Sequence, residues 1–259
     1  MNLLYVTTFN NQFYNLCAKE LLQTFLEHAE GTMLVCYEDD IPSMPVAENI
    51  IYNKIDDDPF MLKWLKDNED VIPTQYGGKA TMEFVAETMG MWNFRASRWF
   101  RKVVALNKSL DIYDDYDAIM FIDADSKFKK PLPSAYVESV FKDADVIYHL
   151  GMFRKKQPVH LASGIESGLV GYRREGGKEL LKRYIESFRS GEFRKYPRWD
   201  DSYLLRMAVE QSPDLKCRDV VHNIAMPSSR VVDLGPFRDF IYHDKGKTTR
   251  EIFNKGQSI

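Results

Sequence analysis

No apolar run in the 259 residues is long enough to cross a bilayer, which argues against a membrane-spanning helix. The N-terminus, Met1-Asn2-Leu3-Leu4-Tyr5-Val6, lacks the basic and long apolar regions of a signal peptide, so a cytoplasmic protein is expected. Cysteine is scarce: Cys17, Cys36 and Cys217 are odd in number, far apart and without a Cys-x-x-Cys pair. That excludes a disulfide framework and a cysteine zinc site, and leaves three reduced thiols. Internal repeats, low-complexity tracts and linkers are also missing, so residues 1–259 are expected to form one domain. Neither charge sign dominates, with 35 Lys+Arg against 38 Asp+Glu, a balance unlike that of a globally basic nucleic-acid binder.

What is present is ample chain for a core, 44% hydrophobic, with charge unevenly spread. Residues 1–90 hold 5 Lys+Arg against 15 Asp+Glu, whereas residues 91–210 hold 22 against 17. An electropositive second part suits a diphosphate or other polyanion; ordinary amphipathic helices with solvated basic faces account for the same excess. Residues 3–8 read as an opening strand and residues 14–28 as an amphipathic helix, with Leu16, Leu21, Leu22, Phe25 and Leu26 at helical spacing. Thr32–Tyr37 is a second strand and residues 49–52 a weaker third. This βαβ alternation predicts an α/β fold with a mostly parallel central sheet flanked by helices. Asp56-Asp57-Asp58-Pro59 reads as a turn and helix start. Residues 70–80 read as a loop and residues 92–110 as a long helix. Further on come a helix at Ser134–Phe141, a strand at 145–150, a Gly-punctuated turn into a short strand near 169, and helices at 176–189 and 200–210. The last fifty residues read as irregular.

The most informative stretch is Ala118-Ile119-Met120-Phe121-Ile122-Asp123-Ala124-Asp125. An apolar strand ends in two carboxylates at i and i+2, which an extended chain projects to one side. Paired hard oxygen ligands suit Mg²⁺ or Mn²⁺ carrying phosphates, and the carboxyl end of a strand is where α/β sheets bind ligands. Two solvated acids at a turn are the alternative, but the buried-strand character of the preceding run disfavours a random acidic loop. The pattern resembles the Asp-x-Asp motif of GT-A fold glycosyltransferases, which hold a nucleotide-sugar diphosphate through a divalent metal.

Further segments resemble, in order, the glycogenin and bacterial lipopolysaccharide galactosyltransferase-like family. Its late His-x-x-Gly-x-x-Lys element has a His that completes the metal site and a Gly and Lys that contact the diphosphate. Here His243-Asp244-Lys245-Gly246-Lys247 keeps His-x-x-Gly, but Lys follows Gly at once and the usual Pro-Trp is absent. The resemblance thus implies Asp123, Asp125 and His243 as metal ligands and Gly246 with Lys247 at the diphosphate, Lys245 remaining an alternative. Thr7 and Thr8, at the end of the opening strand, resemble the segment that receives base and ribose, or they are a capped strand-to-helix turn. Arg95, Arg98 and Lys102 share a helix face; Lys102 best matches the basic residue that reaches donor phosphates or sugar, and a solvated face is the alternative.

Glu166-Ser167-Gly168-Leu169-Val170-Gly171-Tyr172 resembles the segment lining the sugar pocket. Gly168 there lets backbone approach the ligand, and Glu166 is placed to bind sugar hydroxyls or act as a base. Asp200-Asp201 resembles the Asp-Gln or Glu-Asp segment that opens a helix near the reacting centre, and Asp200, Asp201 or Glu166 could supply the base that an inverting transfer needs; helix capping needs only one of the two adjacent acids. Within the single domain, residues 1–130 are expected to bind the nucleotide sugar and residues 131–259 to supply the acceptor side. The expected activity is transfer of a sugar from a nucleotide sugar, UDP-linked by resemblance, to a hydroxyl of a glycan or small molecule, with Mn²⁺ or Mg²⁺ and with retention. An alternative acceptor is a hydroxylated base in DNA, since the basic runs Arg154-Lys155-Lys156 and Arg194-Lys195-x-x-Arg198 beside Trp199 could follow a phosphate backbone. A nucleotidyltransferase or sugar-binding module is a third class. Nucleotidyltransferases of similar fold open with a Gly-rich loop, and Thr7-Thr8-Phe9-Asn10-Asn11 has no glycine.

Overall fold

The computed structural model describes residues 1–72, 79, 96–150, 164–221 and 232–244. The strands are β1 (Leu3–Phe9), β2 (Thr32–Tyr37), β3 (Ile50–Lys54), β4 (Ala118–Ile122), β5 (Ser126–Phe128), β6 (Val146–Tyr148), β7 (Leu169–Arg173), β8 (Cys217–Asp219) and β9 (Ile241–His243). Seven form one sheet in the order β3-β2-β1-β4-β7-β6-β8. From β3 to β4 all neighbours are parallel, as the βαβ alternation predicts. The sheet is mostly but not wholly parallel, because β7 runs antiparallel to both β4 and β6.

Helices cover both faces, as near-continuous apolar strands require. They are α1 (Lys19–His28), α2 (Pro59–Asp67), α3 (Ala96–Leu110), α4 (Ser134–Phe141), α5 (Arg174–Arg189) and α6 (Asp201–Glu210). A turn of helix at Asn11–Phe13 and a π-helical stretch at Tyr14–Ala18 lead into α1. Alternation along the strands divides the core. Leu4, Val6, Ile119 and Phe121 pack with Phe100, Val103 and Val104 of α3 and with α5 and α6. Leu3, Tyr5, Met120 and Ile122 face the other way, against Leu21, Leu22 and Phe25 of α1 and against α4. Each such buried side chain contributes about 2 kcal/mol through loss of apolar surface to water. Asp58 starts α2 as the acidic cluster predicts, its side chain accepting the Met61 N–H at 3.0 Å ahead of Pro59.

Four local expectations differ. The third strand is Ile50–Lys54, starting one residue and ending two residues later than expected, and β6 is confined to Val146–Tyr148. Helix α5 begins at Arg174, two residues before Gly176, through a left-handed residue (φ 58°). The C-terminal region is not wholly irregular: β8 closes the main sheet, and β9 pairs antiparallel with β5. Strand β5 lies directly after the paired carboxylates. It is pinned by Phe128, whose ring meets Tyr5 edge-on at 5.6 Å and stands opposite buried Ile241. Among the described residues no helix is long and apolar enough to cross a membrane, and Cys17, Cys36 and Cys217 are free thiols.

Candidate active site

Strand β4 carries Asp123 to the carboxyl end of the sheet, and β1 runs parallel beside it with Val6 opposite Phe121. The β5–β9 ladder supplies the third group, because its register sets His243 against Ser126, one residue past Asp125. The Asp244 N–H donates to the Asp125 carbonyl at 2.9 Å and locks that register. His243 Nε2 consequently lies 3.1 Å from Asp125 Oδ1 and 3.5 Å from Asp123 Oδ2. One ligand atom from each of the three residues lies within 4.8 Å of the others. Neighbouring ligands of an octahedral ion at 2.0–2.2 Å stand about 3 Å apart, so two carboxylates and an imidazole at these spacings could hold a divalent metal ion. Gly168 makes the approach possible. A Cβ there would come within 2.5 Å of His243 Cε1 and 2.7 Å of Asp123 Oδ2. The glycine anticipated for a ligand's sake is required first by the His243 and Asp123 side chains.

A second group adjoins the first. Lys102, from α3, places its ammonium 2.7 Å from Asp123 Oδ1 and 2.6 Å from Asp201 Oδ2. It also donates to Ser167 Oγ at 3.1 Å, and that hydroxyl donates to Asp201 Oδ2 at 2.7 Å. Burial alone would lower the Lys102 pKa; the two carboxylates outweigh it and raise it, so the amine stays charged. Burial likewise favours a neutral Asp123, but Lys102 and His243 hold its carboxyl well below the usual range. Buried His243 is pushed the opposite way to desolvation, up to about 10, by its hydrogen bonds to Asp123 and Asp125. A metal taken up here must displace that proton, since only the neutral imidazole ligates.

The two adjacent acids divide. Asp200 caps α6, its Oδ1 accepting the Tyr203 N–H at 3.0 Å, and its Oδ2 pairs with Arg198 at 2.9 Å. Asp201 points to Lys102. Glu166 is 1% exposed, with Oε1 accepting the Gly168 N–H at 3.3 Å inside its own turn. Thr7 and Thr8 lie near the carboxyl end of β1 with buried hydroxyls that no hydrogen bond satisfies, but as adjacent strand residues they face opposite sides of the sheet and do not converge on one position. Arg98 diverges from Lys102 and lies over the Phe13 ring at 4.9 Å. Arg95, Lys245, Gly246 and Lys247, with Arg154-Lys155-Lys156, fall outside the described residues.

The second basic run is engaged by the chain itself. Arg194 donates to Asn68 Oδ1 at 2.6 Å and pairs with Asp70 at 3.1 Å, Lys195 faces Glu192, and Arg198 binds Asp200. Lys127 and Lys130 are similarly held by Glu20 and by the Phe240 ring.

Ser167 and the pair of Glu38 with Arg101 had no assigned role in the sequence. Arg101 Nε meets both Glu38 oxygens at 2.6 and 2.7 Å beyond the end of β2. Ser167 carried a weak signal, its place between Glu166 and Gly168. Glu38 and Arg101 carried none, because 63 residues separate them.

No protein-family model matches the chain, and no curated protein sequence does. Among solved structures it is similar to mouse xyloside xylosyltransferase 1 in its apo form, with a TM-score of 0.46 and 14% identity over 84% of each chain.

Proposed function

We propose that this chain is a metal-dependent glycosyltransferase that moves a sugar from a nucleotide sugar, UDP-linked by the motif resemblance, to a hydroxyl acceptor. One observation carries the proposal. Asp123, Asp125 and His243, brought together across more than a hundred residues, adjoin the buried Lys102–Asp201 pair at the carboxyl end of β4. Asp123, Asp125 and His243 would hold Mn²⁺ or Mg²⁺, which as a Lewis acid neutralises a departing diphosphate. The chain's own residues do the rest. Lys102 keeps a permanent positive charge beside the ligand set and fixes the Asp201 carboxylate through two contacts, one direct and one through Ser167. A carboxylate so held is a poor nucleophile. Asp201 therefore suits orienting the sugar or acceptor by hydrogen bonds, with the acceptor proton passing to the leaving phosphate, one route that preserves configuration. Thr7 and Thr8 are assigned to the nucleoside by the motif resemblance alone.

The acceptor is taken as a glycan or small molecule. The DNA alternative has no observation in its favour among the described residues, since Arg194, Lys195 and Arg198 are each paired within the chain.

The test is nucleotide-sugar hydrolysis across a donor panel with and without Mn²⁺, repeated on Asp125→Asn. Turnover is expected only with metal, and the variant is expected to lose about 10²–10³-fold, the scale of one lost electrostatic stabiliser. Metal-independent turnover or a fully active variant overturns the proposal.

A further inference from the structure

We infer that His149 is a positioning residue for the Asp123–Asp125–His243 cluster, clamping the turn at residues 166–169 to the segment that delivers His243. The inference rests on taking that cluster as a cation site. His149 follows β6 and is 1% exposed. It grips the turn at both ends: its backbone carbonyl accepts the Glu166 N–H at 2.9 Å, and its ring Nδ1 lies 3.3 Å from the Leu169 carbonyl. A carbonyl only accepts, so Nδ1 carries the proton and Nε2 is a bare lone pair. Burial lowers the imidazole pKa to about 4, with Glu166, Asp219 and His243 as the charged groups acting on it, so the ring is neutral at pH 7.

Everything between the two grips belongs to the site. Ser167 bonds Lys102 and Asp201. Gly168 accepts the Asp123 N–H at 2.9 Å and stands against His243 and Asp123.

The opposite edge of the ring meets the other segment. Nε2 has no hydrogen-bond partner and faces Gly235, where a Cβ would come within 2.8 Å of it. The Phe237 ring lies 6.2 Å from the imidazole. Gly235 and Phe237 precede His243 in one continuous stretch, residues 232–244. An imidazole suits this place because one edge donates and the other bears no hydrogen, so backbone can approach it. A phenyl ring offers no donor and puts a C–H on both edges.

Groups that orient metal ligands from behind alter metal affinity about 10–100-fold when removed. His149→Phe is expected to weaken Mn²⁺ binding at least about tenfold by calorimetry or electron paramagnetic resonance. His149→Asn, whose amide N–H can replace Nδ1–H, is expected to recover most of that loss. In the metal-free protein His149→Phe should also accelerate hydrogen exchange of the Asp123 amide, while amides of β2 stay as in the wild type. Mn²⁺ affinity within about twofold of wild type in His149→Phe, or no recovery in His149→Asn, overturns the inference. If His149→Phe does not fold, Gly235→Ala presses on the same nitrogen from the other side; weakened binding supports the clamp and unchanged binding refutes it. A wild type that binds no Mn²⁺ removes the cation site itself, and the Asp123 exchange rate then decides the clamp alone.

Discussion

Lys102 shows how a single side chain can hold two parts of a site at once. Its ammonium neutralises Asp123 and Asp201 together, each within 2.7 Å, so removing it leaves two carboxylates facing each other with burial against them. Breaking a buried pair from one side costs about 3–5 kcal/mol. Lys102→Met should therefore lower unfolding free energy on that scale in urea melts. Lys102→Met combined with Asp201→Asn should be less destabilised than Lys102→Met alone, because one of the orphaned charges is gone. Gly168 carries a different constraint, of volume. Gly168→Ala forces a methyl to 2.5 Å from His243 Cε1, and overpacking of this kind costs about 1–3 kcal/mol. Thermal melts should show that loss, together with weakened Mn²⁺ binding from a displaced imidazole. Of these residues, Asp123 and Asp125 were legible as a pair after an apolar run, but not for the expected reason: β4 ends at Ile122 and the Ser126 N–H donates to the Asp123 carbonyl at 3.0 Å, so a tight turn, not the alternation of an extended chain, sets the two carboxylates. Lys102 was legible only as one of several basic residues on a helix face, since nothing local says which of them meets an acid.

At the scale of elements, capping and pairing decide what neighbouring residues do. Asp200 and Asp201 are chemically identical, and the start of α6 separates them: the first turns back to its own helix, the second outward to α3. Asp200→Ala loses both the cap and the Arg198 pair and should cost more than about 1 kcal/mol in chemical denaturation, whereas Asp200→Asn keeps the cap, loses only the charge of the pair, and should cost less. The small β5–β9 ladder decides more. Three residues on each side bring His243 to Asp125, yet neither segment has the length or alternation that marks a strand in sequence. Such short strands owe their existence to pairing and to Phe128 and Ile241 packing beneath them, which is why the C-terminal region read as irregular.

Across the whole molecule, two buried histidines set opposing pH limits. For His149 the folded pKa of about 4 lies below the unfolded 6.5. Between these values the unfolded chain binds a proton that the folded chain refuses, so acidification favours unfolding. Its contribution is complete above pH 6.5 and is lost as pH falls through 4, about 3 kcal/mol in all. His243 in the metal-free protein runs the other way: its folded pKa of about 10 gives stability present below 6.5 and lost as pH rises through 10. Urea melts between pH 4 and 7 should show falling stability on the acid side, and His149→Asn should flatten that limb. An unchanged acid limb in the variant would assign the loss to other groups.

The alternation of strands and helices, the mostly parallel sheet and the apolar strand leading into Asp123 could all be read from the chain alone. Each follows from periodicities spanning a few residues, which the backbone imposes wherever the chain goes. Tertiary structure alone decided which of Asp200 and Asp201 meets Lys102. It also set the antiparallel sense of β7, the pairing that seats His243 on Asp125, and the burial of His149 between two segments of the site. Those outcomes depend on contacts between residues far apart in the chain, where packing and desolvation in the assembled core choose among positions that sequence spacing leaves equal.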